Sequence, residues 1–295
     1  MIDYLFLICT SKNKNYINNL LISIDKMHKS NKKIKLIIVE NSQKKSHFKI
    51  LKNFSKKSKI RYIYALEKNL GIPFARNKAL SLVKKIKYKN LCFFDDDCKI
   101  DKNWLLNIIK LKKKLNPDII TGPQIPEKKN IYLDLLTREG TDYKKVKWAA
   151  TNNVVIKQGI IEKTKIKFLK ELNNFGGSDQ LFFINLNQKG YSIIWCNTAK
   201  VYESFDKKRS NVNWFLKRNF RYGLSSFIIY TNGYGFFNGF LKVIQKLIYE
   251  ILISFLYLLM IPINFKIFSL KFLMYFVRFV GTLLGIFQIK LKKYI

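Results

Sequence analysis

The sequence predicts an α/β fold built on a mainly parallel central sheet, and three observations carry this prediction. Short, continuous apolar runs recur along the first two thirds of the chain, as is typical of strands buried on both faces. Segments with apolar residues at helical spacing alternate with these runs, which favours a parallel sheet flanked by helices. Several runs end in polar or acidic residues, and such sheets bind their ligands at the carboxyl ends of the strands.

The first half of the chain predicts four strands, each followed by a helix. The strands span residues 4–10, 34–41, 60–66 and 90–94, and the helices span residues 16–27, a basic amphipathic segment after the second strand, 72–83 and 103–115. Pro73 falls near the start of its helix, where a missing N–H costs nothing. Farther on, strands are predicted at 118–122, 149–156 and 192–196, and a helix begins after a Gly-Gly turn at Ser178.

The net charge of +36, from 55 Lys and Arg against 19 Asp and Glu, does not by itself predict a nucleic-acid partner. Lysine is scattered through every segment, and no aromatic RNP-type strand occurs. Diffuse charge gives non-specific affinity without an element that reads a groove. After Asp206 the only acidic residue is Glu250, so the last third is basic and strongly apolar.

The four cysteines contain no C-x-x-C pair, and a reducing compartment is the natural interpretation. The opening segment is apolar but short, carries Asp3 and lacks a basic leader. It predicts a first strand and not a signal peptide.

Polar side chains follow three of the predicted strands. They are Thr10 and Ser11 after the first, Glu40 and Asn41 after the second, and residues 95–97, three consecutive aspartates, after the fourth. Together they describe a crevice of nucleotide size at one rim of the sheet. Neither G-x-G-x-x-G after the first strand nor a P-loop motif occurs, which removes the main support for a dinucleotide oxidoreductase or a P-loop NTPase.

Five motifs in order resemble the family 2 glycosyltransferases, over roughly residues 1–230. They are Thr10 in "CTSKNKNYI", Glu40 in "IIVENS", Arg76 and Asn77 in "NLGIPFARNKAL", the D-x-D in "FFDDDC" and Asp179 in "GGSDQLFF". The chain departs from the family in two places: Ser11 stands where an aromatic residue is usual, and Ser178 where Glu is usual. The resemblance implies the GT-A fold of nucleotide-diphospho-sugar transferases, a Rossmann-like mixed sheet flanked by helices, here with an apolar helical tail.

The resemblance also implies a donor site that holds Mn²⁺ or Mg²⁺, because hard cations take carboxylate and phosphate oxygens. Asp97 is the first choice as metal ligand, with Asp95 beside it if the loop is extended. Asp95 and Asp96 are shared between the metal and the donor ribose. Thr10 and Glu40 are assigned to the nucleotide and Arg76 to the diphosphate, since its fork matches phosphate geometry.

Asp179 is implied as the catalytic base, which takes the proton of an acceptor hydroxyl as that oxygen attacks the anomeric carbon. A single displacement of this kind inverts the sugar. From the residues alone, a helix cap is the commoner role for an Asp at this position. The family context favours the base, and the two roles are compatible.

The acceptor side is predicted from two further segments. Asn152 or Asn153 in "ATNNVVI" is expected to line the acceptor pocket, with Trp148 as a candidate platform for a sugar ring. Arg218 and Arg221, on a later basic and aromatic helix, are expected to hold the donor diphosphate or the pyrophosphate of a lipid-linked acceptor. A basic amphipathic helix packed on the sheet is the alternative interpretation of that segment.

Residues 231–295 are predicted to form a hydrophobic, basic helical region that associates with a membrane. Apolar segments at 247–265 and 267–289 are interrupted by Glu250, Pro262, Lys271 and Arg278, and are followed by Lys290, Lys292 and Lys293. Charges at these depths disfavour clean spanning. An in-plane or re-entrant hairpin on an anionic inner leaflet is therefore favoured, ahead of two spanning helices and of a soluble helical dimer.

The resulting hypothesis is a metal-dependent inverting glycosyltransferase, a hexosyltransferase of the 2.4 enzyme class. It would move a sugar from a nucleotide-diphosphate donor to a glycan or lipid-linked acceptor of bacterial surface polysaccharide, at the cytoplasmic face of the inner membrane. The alternative is a non-catalytic, membrane-bound glycan-binding or scaffold protein of the same fold. A third interpretation is a nucleotidyltransferase, but the sequence lacks the glycine- and lysine-rich phosphate loop that such an enzyme usually needs.

Overall fold

The computed structural model describes residues 1–11 and 13–287, with only the backbone of Lys207. The lysines that follow the second apolar segment, Lys290, Lys292 and Lys293, lie outside the described residues. The strands are β1 (Ile2–Thr10), β2 (Ile34–Asn41), β3 (Arg61–Glu67), β4 (Tyr88–Asp95), β5 (Cys98–Ile100), β6 (Ile119–Thr121), β7 (Gln124–Pro126), β8 (Val154–Lys157), β9 (Ile193–Trp195) and β10 (Val201–Glu203). The helices are α1 (Lys14–Lys26), α2 (Phe48–Ser58), α3 (Ile72–Val83), α4 (Trp104–Leu115), α5 (Ile131–Asp134), α6 (Ile160–Thr164), α7 (Ser178–Gln188), α8 (Val212–Leu224), α9 (Ser226–Tyr234), α10 (Phe236–Leu259) and α11 (Phe265–Ile286).

The main sheet is mixed and has seven strands in the order β3-β2-β1-β4-β8-β6-β9. β1 to β4 are parallel, and β8 is antiparallel to both of its neighbours. The predicted α/β class with a mixed, mainly parallel sheet is confirmed. The strand order reverses between β1 and β4, and such a reversal opens the crevice in which ligands of these sheets bind.

Alternation along β1 divides the core between the two faces of the sheet. Phe6 packs edge-on against Trp104 of α4, with ring centroids 6.0 Å apart, whereas Leu5 and Leu7 belong to the cluster that includes Ala79 of α3. The middle residues of β1, β2 and β4 are buried on both faces, which is why their sequences are continuous apolar runs instead of alternating ones.

The structure differs from the prediction at one strand and in having a second sheet. The strand predicted over 149–156 begins only at Val154, because Asn153 is buried and accepts the indole N–H of Trp104 at 2.8 Å. A second sheet, in the order β5-β10-β7, was not predicted. Its strands have three residues each, too few to show a periodic pattern.

The chain divides into two compact units. The sheet unit comprises Met1–Lys129, Thr137–Phe168 and Phe182–Phe205, and the helical unit comprises Asn130–Leu136, Leu169–Leu181 and everything after Phe205. The boundary between them falls within α7. The helical unit thus contains α8 to α11, which include the predicted basic helix and the apolar tail.

Small residues let α8 and α11 approach closely in the helical unit. A Cβ atom built on Gly223 would lie 2.2 Å from the carbonyl oxygen of Arg278, and one on Gly281 would lie 2.3 Å from that of Phe220. Glycine is therefore required at both positions, as at other close helix crossings.

The apolar tail forms a helical hairpin whose bounds differ from the predicted segments. α10 begins at Phe236, eleven residues before the predicted 247, because its first turns are amphipathic and not continuously apolar. Among the described residues one helix, Phe265–Ile286, is long and apolar enough to cross a membrane. That finding concerns length and composition, which buried core helices also satisfy.

Candidate active site

Side chains join the carboxyl ends of β1 and β4 at the reversal of strand order. Cys9 lies opposite Asp95 in the parallel register of these strands. The hydroxyl of Thr10 donates to Asp96 Oδ2 at 2.7 Å, and the backbone N–H of Ser11 donates to the same oxygen at 3.3 Å. Burial raises the pKa of Asp96, and the hydrogen bond from Thr10 opposes that shift. Thr10 and Asp96 thereby fix the two strand ends to each other.

Arg76 reaches the same rim from α3. Its Nη2 lies 3.2 Å from Asp95 Oδ1, and the arginine side chain is only 8% exposed while that of Asp95 is 38% exposed. The guanidinium also lies 5.5 Å from the ring centroid of Phe168. Asn77 fixes the backbone at Phe168 with one hydrogen bond in each direction, at 2.8 and 2.9 Å. The Ala-Arg-Asn motif therefore orients one buried cation toward a carboxylate that solvent can reach.

Asp97 lies in the turn between β4 and β5. Its carbonyl oxygen accepts the N–H of Ser204 at 2.8 Å, and its side chain is half-exposed. The expectation that Asp95 and Asp97 share one side assumed an extended loop, but residues 96–97 form a turn. Alternation along a strand therefore does not govern their directions.

Glu40, at the end of β2, is completely buried. Its carboxylate accepts hydrogen bonds from the backbone N–H groups of Ser46 and His47. It also accepts hydrogen bonds from the hydroxyls of Ser42, Ser46 and Tyr64. One carboxylate oxygen lies 2.9 Å from His47 Nδ1. Burial raises the pKa of Glu40, but the bonds from Ser46 and Tyr64 outweigh it, so that the pKa falls to about 2. These N–H groups belong to the residues directly before α2, where the helix dipole also stabilises a negative charge. Glu40 therefore holds the loop between β2 and α2.

Asn41, expected at the rim after the second strand, makes structural hydrogen bonds that the sequence did not indicate. Its amide donates to the carbonyls of Glu67 and Asn69 at 3.0 and 2.8 Å, and its oxygen accepts the N–H of Gly71 at 2.7 Å. Gly71 has φ = 138°, a value that favours glycine. Asn41 thus sets the loop that leads into α3, and the local sequence carries no signal for a bond to residues nearly thirty positions away.

Asp179 lies in the first turn of α7, within the helical unit. It is half-buried, and its Oδ1 accepts the N–H of Gln180 at 2.9 Å. Gly177, two residues earlier, has φ = 79°, and a Cβ there would lie 2.5 Å from Ile229 Cδ1. The positive φ of Gly177 therefore favours glycine in this turn, and the aspartate satisfies one N–H of the first helical turn.

Arg221 and Arg218 project from α8 of the helical unit. Arg221 Nη2 donates to the carbonyl of Asn174 at 3.2 Å, in the turn that precedes α7. Arg218 Nε donates to the hydroxyl of Tyr222 at 2.7 Å, and its guanidinium lies 5.1 Å from the ring centroid of Trp214. Within this unit, Arg221 and Asp179 flank the same glycine-containing turn.

The other predicted acceptor residues lie in the sheet unit. Asn152 donates to the side chain of Gln124, whereas Asn153 is buried and bonds only to structural groups. Arg138 lies 4.0 Å from the ring centroid of Trp148 and donates to the carbonyl of that tryptophan at 3.0 Å. One face of Trp148 is thus covered by a cation, and sequence reasoning missed this contact of Arg138.

The aspartates after β4 suit a hard divalent cation. Their oxygens are the ligands that Mg²⁺ and Mn²⁺ prefer, and Asp95 and Asp97 are within reach of solvent. The charges of Asp97 and Asp95 add to burial in raising the pKa of the neighbouring Cys98 thiol, which indicates a local excess of negative charge. No group of three or more His, Cys, Asp or Glu side chains suited to a metal occurs in the described part of the chain. A cation here would therefore need ligands from outside the protein, as Mg²⁺ commonly does.

Comparison with known proteins identifies one family. The family described as Glycosyl transferase family 2 matches residues 6–178. That range includes Thr10, Glu40, Arg76 and residues 95–97, and it ends one position before Asp179. No curated protein matches the chain.

Solved structures show the same fold at low identity. The mannosyltransferase PcManGT from Pyrobaculum calidifontis, in complex with GDP-Man and Mn²⁺, is 12% identical with a TM-score of 0.66, over 97% of this chain and 88% of that one. S. aureus TarS 1–349 is 16% identical with a TM-score of 0.54, over 78% of this chain and 65% of that one. GalNAc-T7 with UDP, GalNAc and Mn²⁺ is 12% identical with a TM-score of 0.55, over 69% and 44%. This chain thus spans less than two thirds of the TarS and GalNAc-T7 structures, and the likeness establishes the fold alone.

Proposed function

The chain belongs to glycosyl transferase family 2, and on that premise we propose a metal-dependent, inverting transfer of a sugar from a nucleotide-diphosphate donor to a glycan or lipid-linked acceptor. The chain is a glycosyltransferase with the GT-A fold. The observation that carries the proposal is the polar rim at the reversal of strand order, where Arg76 pairs with Asp95 and Thr10 with Asp96. Structures of the same fold with GDP-Man or UDP and Mn²⁺ support a nucleotide-sugar donor and a divalent cation.

The donor residues would act on the diphosphate and the nucleotide. Asp97, with Asp95 as second ligand, would hold Mn²⁺ or Mg²⁺. When bound, the cation supplies positive charge that stabilises the departing diphosphate. Arg76, already oriented by Asp95 and Phe168, would add a second cation on the phosphate oxygens.

Thr10, Asp96 and Glu40 would shape the nucleotide side of the donor site. Thr10 and Asp96 hold the ends of β1 and β4 together, and their remaining oxygen atoms suit ribose hydroxyls. Glu40 is assigned to the nucleotide by the family pattern, and its burial supports an action through the loop at residues 42–47. We therefore class Glu40 as a positioning residue.

Asp179 would accept the proton of the acceptor hydroxyl. The acceptor oxygen forms its bond to the anomeric carbon while the bond from that carbon to the diphosphate breaks, so that the configuration inverts. No covalent intermediate is needed, and the cysteines do not suit one, since burial raises the pKa of all four thiols. Asn152, Trp148, Arg218 and Arg221 are assigned to the acceptor or its phosphate.

Residues 1–230 are proposed as the catalytic region and residues 231–295 as a region that lies in the plane of an anionic inner leaflet. This arrangement would place the enzyme at the cytoplasmic face of a bacterial inner membrane. The exposed apolar side chains of α10 support it, as does the basic composition of this part of the chain. A lipid-linked acceptor of surface polysaccharide would then be within reach.

The test is a panel of UDP- and GDP-sugars with Mg²⁺ or Mn²⁺, using the full chain in detergent and measuring nucleotide release and sugar transfer. We expect one donor to be used, and Asp179→Asn to lower transfer by roughly 10²–10⁴-fold, because an amide cannot take the proton. Asp25→Asn is the matched control, since this carboxylate is exposed and forms a surface ion pair with Lys29. Transfer that persists unchanged in Asp179→Asn contradicts the mechanism. A folded protein that releases nucleotide from none of the donors supports the non-catalytic alternative.

A further inference from the structure

A continuous series of cations and aromatic rings runs across three helices of the helical unit. In α8, the Arg218 guanidinium lies between the rings of Trp214 and Tyr222, at 5.1 and 5.4 Å from their centroids. We call the whole series the cation–aromatic ladder; its members, in spatial order, are Trp214, Arg218, Tyr222, Arg278, Tyr275, Tyr257, Lys271 and Phe268.

The ladder continues from α8 onto α11 and α10 without a gap. Arg278 lies 5.8 Å from the ring centroid of Tyr222 and 5.3 Å from that of Tyr275. The rings of Tyr275 and Tyr257 are 5.7 Å apart, and Lys271 lies 5.1 Å from Tyr257. Nearly all of these side chains are half-buried, so each presents one edge to the surroundings.

α10 presents an apolar face to the outside. Four side chains at helical spacing, Ile248, Leu252, Phe255 and Leu259, are each more than half exposed. Ile263 and Phe265, in and after the turn to α11, are exposed still further. A contiguous apolar face of this size marks an interaction site.

Glu250 and Arg278, two of the charged residues that interrupt the apolar sequence, have hydrogen-bond partners within the helical unit. Glu250 is 2% exposed and accepts hydrogen bonds from Lys246 and from the Thr282 hydroxyl, the latter at 2.8 Å. Arg278 Nε donates to the buried Asn219 at 2.7 Å. The charges that interrupt the apolar sequence therefore do not interrupt the exposed apolar face.

We propose that the helical unit docks on the headgroup layer of an anionic phospholipid bilayer, with the cation–aromatic ladder at the level of the lipid phosphates. This inference rests on the proposed membrane-bound function and names the surface that performs it. Arg, Lys, Tyr and Trp side chains are the residues that settle at a membrane interface, and clustered cations attract anionic headgroups. The apolar face of α10 then lies among the upper acyl chains.

The dimensions favour one leaflet over a span. Residues 248–259 of α10 rise about 18 Å at 1.5 Å per residue, against a hydrocarbon core of about 30 Å. α11 has the length to span, but Lys271 and Arg278 are its seventh and fourteenth residues. Spanning would bury both ladder cations in hydrocarbon, whereas docking leaves them at the phosphates.

Vesicle sedimentation with the full chain tests the ladder. Phosphatidylcholine vesicles are compared with vesicles that also contain phosphatidylglycerol, and wild type with the double variant Arg218→Gln, Lys271→Gln. We expect the double variant to bind phosphatidylglycerol vesicles about 30-fold more weakly, since each cation near such a surface contributes roughly fivefold. The control is Lys56→Gln, Lys57→Gln, which removes the same charge from exposed positions of α2 and should change binding less than about threefold. Equal binding by the two double variants overturns the proposal.

Trp214 provides a measurement on the unaltered ladder. Lipids brominated near the headgroup should quench wild-type fluorescence, and the quenching should fall in Trp214→Phe. Unchanged quenching in Trp214→Phe contradicts the proposed depth.

Leu252→Ser with Phe255→Ser separates the bilayer from a second copy of the chain. We expect weaker binding to both kinds of vesicle, because the lost area is apolar. If the wild type is a dimer and this variant is a monomer with unchanged vesicle binding, a second copy of the chain covers this face. That result overturns the proposal. Nucleotide release by the wild type without vesicles reports on the proposed function separately, since a wild type that turns over donor but binds no vesicle contradicts only the docking.

Discussion

In the sheet unit the apolar side chains are inside and the carboxylates of Asp95 and Asp97 lie half-exposed at the end of β4. In the helical unit the carboxylate of Glu250 is buried against Lys246 and Thr282, and the outer face of α10 is apolar. The two arrangements suit different roles of the carboxylate. An exposed carboxylate at a strand end remains available to a ligand, whereas a buried one must have all its hydrogen bonds within the protein. The same residue type should therefore matter for activity in one unit and for stability in the other.

The largest effect that this comparison predicts is the loss of stability in Glu250→Ala. Removing one partner of a buried ion pair leaves the other charge without compensation, at a cost of about 4 kcal/mol. The matched control is Asp25→Ala, which breaks an exposed pair with Lys29 at the same i,i+4 spacing and should cost at most about 0.5 kcal/mol. Denaturant unfolding of the full chain in detergent measures both, and equal losses would remove the distinction between the two units.

Glu40 is the exception within the sheet unit, because its carboxylate is as buried as that of Glu250. Its pKa in the folded protein is about 2, against an ordinary value of 4.5. A carboxylate whose folded pKa is depressed contributes stability that is fully present above about pH 4.5 and is lost as the pH falls towards about 2. The shift of about 2.5 pH units corresponds to about 3 kcal/mol.

Unfolding at a series of pH values checks this contribution. Glu40→Gln should be less stable than wild type at neutral pH, and the difference between the two should shrink below pH 4.5. A difference that stays constant down to the lowest pH at which both remain folded would show that the stability does not come from the charge of Glu40.

Asp97→Ala tests the exposed carboxylates of the sheet unit, and it is the variant expected to change the stability least. Because its side chain is half-exposed in a turn, we expect little change in the free energy of unfolding. The rate of sugar transfer should fall by roughly 10²-fold, and the concentration of Mn²⁺ needed for half-maximal rate should rise. Asp101→Ala, a few residues farther along, removes a carboxylate with structural partners and should leave the Mn²⁺ requirement unchanged. An Asp97→Ala variant with wild-type metal dependence would remove Asp97 from the metal site.

The elements of the sheet unit could be predicted from sequence wherever their pattern is local. The helix at residues 72–83 and the strand at 34–41 have the predicted bounds, because apolar spacing and the position of Pro73 mark their ends. The strand predicted from residue 149 failed because a buried Asn153, paired with Trp104, interrupts it. Its partner is 49 residues away, and no local pattern records such a bond.

In the candidate site, too, some features could be predicted from the sequence and others could not. Thr10 and residues 95–97, at the strand ends, and Arg76, on α3, were identified from motifs. The contacts among them were not predicted, and neither were the hydrogen bonds of Asn41 nor the contact of Arg138 with Trp148.

The sequence by itself determined the fold class, the family and the residues that lie at the carboxyl rim of the sheet, because buried strands, helical spacing and motif order are all local patterns. Only the tertiary structure decided that Glu40 is sealed beneath its loop and that Asp95 pairs with Arg76. It also decided that Glu250 of the apolar tail is buried against Lys246 and Thr282. These outcomes depend on burial and on the hydrogen-bond partners that the folded chain brings together, and the energy of a charged group is set by those surroundings.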